Sequence, residues 1–353
     1  MSHLMTRRHY LGALAGLGLI TTGGPSTFAA PVRPPSLEWW IPYSGGGTTD
    51  ALVRDIVPAV MRHLAPGTEP LLRNKVGGGG LRTAKAFARR MGTKRQIVLA
   101  TSAEMHISHL VGEVRADIDP TLWAALAAIP GGGVVYAPKV LKLPSAADFR
   151  QVTGAKLRFG MVPKPSLDFV AAMALQILGI ELDLYPVRSR RDTRVVMDDA
   201  AITLDYQITP TYLKWIAPKA AAGEVVPLFS FGLLDADGNI IRDPHFPDLP
   251  SFPEFYATAY GAPPTGPLWE KYKLFFLAGF ACQRFFVMHG VKPEGTIADF
   301  RDAFDAALND PKFLERFLAP RARYRPLTGA PVTAAWEKIA GTTAAGTTTF
   351  DRF

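Results

Sequence analysis

The stretch Leu37-Glu38-Trp39-Trp40-Ile41-Pro42-Tyr43-Ser44-Gly45-Gly46-Gly47-Thr48-Thr49-Asp50 decides the fold of this chain. An apolar run stops there in three glycines, and residue types that cap helices follow them. This order predicts a strand, a tight turn and the start of a helix. The backbone N–H groups of such a turn can converge on an anion, and the helix dipole adds partial positive charge behind them. Residues 43 to 50 are therefore the first candidate ligand site.

The alternation of strand and helix patterns continues to about residue 130, which predicts an α/β fold with a mostly parallel sheet flanked by helices. A second glycine turn, Gly77–Gly80, and the pair Thr101-Ser102 each follow a predicted strand. In such sheets, ligands sit outside the carboxyl ends of the strands. The predicted elements of this part are strands over 37–42, 70–74 and 96–100 and helices over 50–64 and 81–91.

The alternation restarts after Gly131-Gly132-Gly133, and a second strand-turn-helix follows at residues 157–178. Its turn is Pro163-Lys164-Pro165-Ser166, in which Ser166 is a natural helix cap. A chain of 353 residues is too long for one ordinary core. We therefore predict two lobes, one from residues 36–132 plus 282–353 and one from residues 133–281. Seven prolines between residues 243 and 267 predict a segment without regular elements.

The first 29 residues have the pattern of a twin-arginine export signal. Thr6-Arg7-Arg8-His9-Tyr10-Leu11 precedes a glycine-rich apolar segment that ends at Ile20, and Thr27-Phe28-Ala29 offers small residues for cleavage. The alternative is a chance Arg-Arg pair before a buried helix, although its many glycines disfavour such a helix. We expect cleavage after Ala29 and a periplasmic location.

Charge and composition restrict the partners. The net charge is +8, and removal of Arg7 and Arg8 with the signal leaves +6, because no acidic residue is lost. The basic residues are scattered among acids and do not form a stripe with stacking aromatics, so we expect no nucleic-acid binding. The single cysteine, Cys282, excludes an intramolecular disulfide. We expect a monomer.

Several motifs, in order and spacing, resemble one family. They are Pro42-Tyr43-Ser44-Gly45-Gly46-Gly47-Thr48-Thr49-Asp50, Asn74-Lys75-Val76-Gly77-Gly78-Gly79-Gly80, Leu99-Ala100-Thr101-Ser102, Ala222-Gly223-Glu224-Val225-Val226-Pro227-Leu228 and Ala307-Leu308-Asn309-Asp310-Pro311. The chain is similar in these motifs to the extracytoplasmic solute receptors of the tripartite tricarboxylate transporter, known as Bug or TctC-type receptors. The resemblance covers most of residues 37 to 320.

The resemblance implies a periplasmic-binding-protein (Venus-flytrap) fold, whose two α/β lobes close on an organic carboxylate anion and deliver it to membrane permease subunits. It implies capture without catalysis. The second lobe departs from the family pattern. Pro163-Lys164-Pro165-Ser166 replaces a glycine- and serine-rich loop, and Val187-Arg188-Ser189-Arg190-Arg191 replaces a Gly-Gly-Gly sequence after the Pro-Tyr position. Both changes add positive charge and bulk.

Within this scheme, the candidate ligand contacts are turn residues and hydroxyl or cationic side chains. They are Tyr43, Ser44, Gly45, Gly46, Gly47, Thr48, Thr49, Asp50, Thr101, Ser102, Lys164, Pro165, Ser166 and Arg188. Lys164 and Arg188 are candidate partners for a second carboxylate. Asp50 and Ser166 can also serve only as helix caps. We interpret Arg190, Arg191 and Arg194 as a solvated helix face.

Other functional classes stay open. An exported α/β enzyme that acts on an anionic substrate would use His106 or Lys164, and a receptor for a membrane sensor would use the same pocket. His106 and His109 have the spacing of a one-face metal pair, but the sequence places no third ligand. No Gly-x-Ser-x-Gly elbow and no Lys after the glycines is present, so hydrolase and nucleotide-triphosphatase signatures are lacking. We expect no cofactor and no metal.

Overall fold

A computed structural model describes residues 37–64, 69–93, 95–114, 118–293, 295–319 and 323–342. The predicted export signal lies outside these residues. The described strands β1–β12 are Leu37–Ile41, Leu71–Asn74, Gln96–Ala100, Trp123–Ile129, Gly133–Pro138, Lys156–Met161, Glu181–Pro186, Asp205–Ile208, Val225–Ser230, Leu233–Leu234, Ile240–Ile241 and Arg284–His289.

The described helices α1–α12 are Thr48–Leu64, Leu81–Ala88, Ala103–Leu110, Asp168–Ile177, Arg190–Asp198, Thr209–Thr211, Ala217–Ala221, Phe252–Tyr260, Pro267–Phe276, Thr296–Leu308, Pro311–Leu318 and Ala330–Ala340. Two π-helical turns, Tyr212–Ile216 and Leu277–Ala281, follow α6 and α9. Among the described helices, none is long and apolar enough to cross a membrane.

The first sheet has the strand order β2-β1-β3-β12-β4. Strands β1, β2 and β3 are parallel, whereas β12 runs antiparallel to both of its neighbours, β3 and β4. Trp39 and its alternating neighbours pack on one face against α1 and α10, and Trp40 packs on the other face against Phe87 of α2. Helices cover both faces, which explains why the central strands are apolar throughout.

A second set of strands builds an equivalent layer. Strands β8, β5 and β9 are antiparallel in the order β8-β5-β9, and β6 pairs with β7 in parallel. A parallel bridge between Phe159 and Leu204, which directly precedes β8, joins the two parts edge to edge. The order along this second layer is therefore β7-β6-β8-β5-β9. The α/β architecture predicted from the sequence, with sheets flanked by helices, is confirmed. The sheets are mixed rather than mostly parallel, because β12 inserts between β3 and β4 in the opposite direction and β5 runs antiparallel to both β8 and β9.

Two chain segments connect the two sheets, and a third lies beside them. Residues 130–132 lead from β4 to β5, residues 281–283 lead back into β12, and residues 323–327 run alongside them. The N–H of Gly131 donates to the carbonyl of Phe280 at 2.8 Å, and Ala128 and Leu327 exchange two backbone hydrogen bonds of 2.8 and 2.9 Å. A side chain at Gly132 would overlap Tyr324 and Asp243, so only glycine fits there.

The expectation of no regular element between residues 243 and 267 is wrong. Helix α8, Phe252–Tyr260, lies inside this segment, and a capping box forms between Ser251 and Glu254. Its proline, Pro253, occupies the first turn, where the missing N–H removes no helix hydrogen bond. The proposed bounds of the two lobes stay a prediction.

Candidate functional site

Three adjoining cavities lie where the turns of the first sheet face those of the second. The hinge cavity, of about 300 Å³, is lined by Gly46, Gly47, Thr48, Ala51, Leu52, Ile129, Pro130, Gly131, Gly132, Pro210, Arg323 and Tyr324 and by the shared residues named below. The central cavity, of about 80 Å³, includes Tyr43, Ser102 and Glu104. The distal cavity, of about 290 Å³, includes Lys164, Ser166, Arg188 and Arg190.

Shared residues show that the three cavities form one cleft. Ile208, at the end of β8, lines all three cavities. Gln283 and Arg284 line both the hinge and central cavities, and Glu104 lines both the central and distal cavities. The cleft thus runs from the segments that connect the sheets to the turn after β6.

Asp50 holds the glycine turn in shape. Its carboxylate accepts hydrogen bonds from the N–H of Gly46 at 2.9 Å, from Arg54 Nε at 2.9 Å and from Asn74 Nδ2 at 2.8 Å. The hydrogen bond from Arg54, supported by those from Asn74 and Gly46, lowers the pKa of Asp50 to about 2. Because Asp50 closes the turn from behind, Gly46, Gly47 and Thr48 face the hinge cavity at the start of α1.

Arg284, the first residue of β12, places a guanidinium in the cleft beside this helix start. Its Nε donates to Thr49 Oγ1 at 2.7 Å, and its Nη1 bonds the side-chain oxygen of Gln283. Within the described residues, no carboxylate lies within 4.0 Å of this guanidinium. Burial lowers the pKa of Arg284, against the opposing effect of Tyr43 and Glu104. The cation therefore faces the cleft without an ion-pair partner of its own.

The central cavity contains one acidic side chain. The hydroxyl of Tyr43 donates to Glu104 Oε2 at 2.6 Å, and burial together with this neighbouring carboxylate raises the pKa of Tyr43. Ser102 caps α3 by accepting from the N–H of Met105, and its hydroxyl donates to the carbonyl of Gly79 at 2.6 Å. The hydroxyl proton of Ser102 is thus used inside the protein.

The distal cavity carries the turn after β6. Lys164 and Arg188 are exposed at its rim, and neither has an ion-pair partner among the described residues. Ser166 Oγ accepts from the N–H of Asp168 at 3.3 Å, but the residue at the N-cap position of α4 is Leu167, not Ser166. Asp168 is fully buried and accepts from the N–H of Val162 at 2.7 Å, so it fixes this turn much as Asp50 fixes the first.

The interpretation of Arg190 as part of a solvated face is wrong. Its guanidinium bonds the carboxylate of Asp205, the carbonyl of Gly160 at 2.8 Å and the carbonyl of Tyr206 at 2.6 Å. It also stacks on the ring of Tyr206 at 4.1 Å and lies 3.6 Å from Asp168. This arginine begins α5 next to the ends of β6 and β8, so it points inward and its charge is neutralised.

Several of the predicted contact residues do not line any of the three cavities. They are Ser44, Gly45, Thr49, Asp50, Thr101 and Pro165. Thr49 supports Arg284 from behind, and Thr101 Oγ1 accepts from the N–H of Phe285 at 2.8 Å, so both position β12. The remaining candidates, from both sheets, line the cleft. They are Tyr43, Gly46, Gly47, Thr48, Ser102, Lys164, Ser166 and Arg188.

The two histidines considered as a metal pair have other partners. His106 is 2% exposed, and its ring nitrogens bond Thr101 Oγ1 at 2.7 Å and the carbonyl of Ala278 at 2.9 Å. Burial lowers the pKa of His106 to about 4, which keeps the ring neutral. His109 bonds the carbonyl of Ala340 at 3.0 Å. Neither histidine lines the cleft, and no cluster of three metal-ligating side chains occurs in the described ranges.

Arg284 is the residue that sequence reasoning missed. It lies just before the apolar run Phe285–Met288, and nothing in the local pattern distinguishes it from a solvated strand end. One sequence feature could have indicated it: a cationic residue stands at the start of the strand by which the chain re-enters the first sheet. Only the position of β12 between β3 and β4 makes it a cleft residue.

No protein-family model and no curated protein matches the chain. Solved structures do match its fold. Over 88% of this chain and 99% of the other, it is similar to a TctC solute-binding protein from Polaromonas, solved without ligand, with a TM-score of 0.62 and 14% identity. The two-lobed fold of periplasmic solute-binding proteins is therefore the fold of this chain.

Two further solved structures hold ligands. A protein from R. palustris with adipate matches 87% of this chain and 97% of its own, with a TM-score of 0.57 and 19% identity. MatC from Rhodopseudomonas palustris with bound malate matches over 88% of this chain and 100% of its own, with a TM-score of 0.51 and 18% identity. At the level of the fold, these matches confirm the resemblance to Bug and TctC-type receptors that the motifs indicate.

Proposed function

We propose that this protein is an exported solute-binding protein that captures an organic carboxylate in the cleft and delivers it to a permease of the tripartite tricarboxylate type. The observation that carries this proposal is the guanidinium of Arg284. It lies in the cleft next to the first turn of α1, and within the described residues no carboxylate neutralises it.

A cation that is partly buried without a counter-ion lowers the stability of the empty protein, because it has lost part of its hydration. An anionic ligand supplies the missing partner. The first N–H groups of α1 lack acceptors within the helix and add donors at the same point. Hydrogen bonds between charged groups contribute roughly 1.5–3 kcal/mol each, so a few of them give micromolar affinity after ordering costs.

The cleft is built from both sheets, which suits capture by closure. Gly46, Gly47 and Thr48 approach from the first sheet, and Ser166 approaches from the second. A ligand that contacts both sides binds the closed state better and shifts the population toward it. The exposed cations Lys164 and Arg188 at the distal rim add positive potential that draws anions into the cleft.

The carboxylate class of ligand is supported by the solved structures of the same fold that hold adipate or malate. A catalytic role has less support. His106, the candidate general base, is buried, neutral and bonded at both ring nitrogens away from the cleft. We therefore propose that the protein releases its ligand without having altered it chemically.

The binding proposal is tested with the purified mature protein. Thermal unfolding and calorimetry are measured with mono-, di- and tricarboxylates, each paired with its neutral amide. At a ligand concentration of 100 times Kd, binding stabilises the native state by about 2.7 kcal/mol. We expect at least one carboxylate to raise Tm while its amide does not, and NMR to recover that ligand intact. If no carboxylate in a broad panel raises Tm, or if the ligand is consumed, the proposal is wrong.

Export and delivery need tests in cells. Changing Arg7 and Arg8 to lysine should leave the precursor in the cytoplasm, since the twin-arginine pathway reads that pair. Deletion of the gene should abolish uptake of the ligand identified in the binding assay, and the cleft variants described below should fail to restore it. Uptake that persists without the protein would favour the sensor-receptor alternative. Sedimentation of the mature chain tests the expected monomer.

A further inference from the structure

Some polar groups of the hinge cavity already have partners within the protein, whereas Arg284 has no ion-pair partner within the described ranges. This difference restricts the chemistry of the ligand further than the proposal of a carboxylate does. We propose that the ligand carries one anionic head, held by Arg284 and the start of α1, and an apolar body that fills the hinge cavity. The class is a monocarboxylate with a short aliphatic chain or a small ring. This inference rests on the proposed function and narrows its ligand.

Most polar side chains of the hinge cavity already have partners within the protein. Arg323 Nη1 bonds Asp55 Oδ2 at 2.7 Å. The Tyr324 hydroxyl donates to Asp243 at 2.7 Å and accepts from Thr209 at 2.6 Å. The charge of Arg323 is therefore already paired with that of Asp55, and the Tyr324 hydroxyl is already used twice. Of the two arginines that line the hinge cavity, only Arg284, beside the first turn of α1, has no ion-pair partner among the described residues.

The remaining walls of the hinge cavity are apolar and come from both sides of the cleft. Ala51, Leu52, Ile129 and Pro130 belong to the first side, and Ile208 and Pro210 belong to the second. An apolar body between these walls leaves water and contacts both sides at once, which favours closure. A second carboxylate in the same place would lose hydration and meet no second unpaired cation among the described lining residues, since Arg323 is paired with Asp55, and this opposes binding.

The distal cavity is the other place for a second anionic group, but it suits one less well. Its free cations, Lys164 and Arg188, are exposed, so water and salt screen them. To reach them from Arg284, a ligand must pass through the central cavity beside Glu104, whose negative charge repels a second carboxylate. The hinge cavity, at about 300 Å³, is at the lower end of the usual range for small-ligand sites and holds one compact body.

Pairs of acids that differ in carrying one or two carboxylates test whether the ligand has a single anionic group. Calorimetry at one pH and salt concentration compares hexanoate with adipate and benzoate with terephthalate. We expect the monoacid to bind at least about tenfold tighter in each pair, and affinity to rise about three- to fourfold per added methylene from butyrate to hexanoate. Tighter binding of both diacids would overturn the inference and leave the proposed function intact. Failure of every carboxylate would overturn both.

One variant isolates the apolar wall from the anionic head. Ile208→Thr keeps a β-branched side chain but adds a hydroxyl to the wall, and Ile241→Thr makes the same change on β11, at a half-exposed site outside the cleft. We expect Ile208→Thr to weaken hexanoate about fivefold or more while the competition constant of acetate, which has almost no body, stays the same. Ile241→Thr should change neither. Equal losses for acetate and hexanoate in Ile208→Thr would overturn the apolar role of this wall.

Discussion

Replacement of Arg284 by methionine separates a ligand anchor from a structural arginine, because the two roles predict opposite changes in stability. Methionine keeps the length and flexibility of the side chain and removes its charge. If Arg284 serves the fold, the variant loses stability. If it serves the ligand, the empty protein keeps its stability or gains some, and ligand binding is lost.

The expected size follows from the contacts of Arg284. The variant loses the bonds to Thr49 and Gln283, and it also removes a partly buried cation that no described carboxylate neutralises. These terms oppose each other, so we expect the free energy of unfolding to rise by about 1 kcal/mol, or Tm by about 2 °C. Binding loses one or two charge-assisted hydrogen bonds of roughly 1.5–3 kcal/mol each, which weakens affinity by about 10- to 10,000-fold.

Urea unfolding of the empty protein and calorimetry with the best carboxylate measure the two effects on one sample. Arg158→Met is the matched control, because Arg158 pairs with Asp183 at 2.8 Å on the surface, outside the cleft. The control should bind with unchanged affinity. A less stable Arg284→Met that binds within about twofold of the parent would refute the assignment, since it would show that the guanidinium supports only the fold.

The other predictions concern stability. Gly132→Ala should destabilise the protein by about 3 kcal/mol in urea unfolding, because the new methyl group overlaps Tyr324. Burial lowers the pKa of His289 to about 4, so as the pH falls the unfolded state binds this proton before the native state does. The free energy of unfolding should therefore decrease by about 2 to 3 kcal/mol between about pH 6.5 and pH 4. His289→Phe should remove this decrease. Asp50→Asn should cost about 1 to 2 kcal/mol at pH 7, and the difference should vanish as pH falls from about 4 to 2.

Controls and contrary outcomes differ for these variants. Gly45 has room for a methyl group, its nearest neighbour being Asp50 at 3.9 Å, so Gly45→Ala should stay within about 0.5 kcal/mol of the parent. An equally stable Gly132→Ala would show that the connecting segments are loosely packed. A pH profile that His289→Phe leaves unchanged, or an Asp50→Asn deficit that persists at pH 2, would contradict the proton linkage.

Local sequence patterns predict the elements of the first sheet that border the cleft well. The strand Gln96–Ala100 and the end of α1 at Leu64 match their predicted bounds, because each coincides with an abrupt change from apolar to turn-forming residues. The turn after β6 could also be predicted, because two prolines and a serine mark it. These boundaries depend on a few neighbouring residues and so can be read from the sequence.

Features of the fold and of the cleft that depend on contacts between residues distant in the sequence could not be predicted from the sequence. Residues 274 to 288 are apolar almost throughout, so periodicity cannot tell helix α9 from the strand β12 that follows it. Arg284 was missed for that reason. Arg190 lies in a run of charged residues that indicates a solvated helix, and only its closeness to Asp205 and Tyr206, on another strand, turns it inward.

The position of β12 also governs the order in which the chain can fold during synthesis. Strands β3 and β4 end by residue 129, but the strand that joins them begins at residue 284. While the ribosome makes the intervening segment, both strands present unpaired edges that invite pairing with other chains. These edges stay open until residue 289 has emerged, so we expect fragments that end earlier to aggregate.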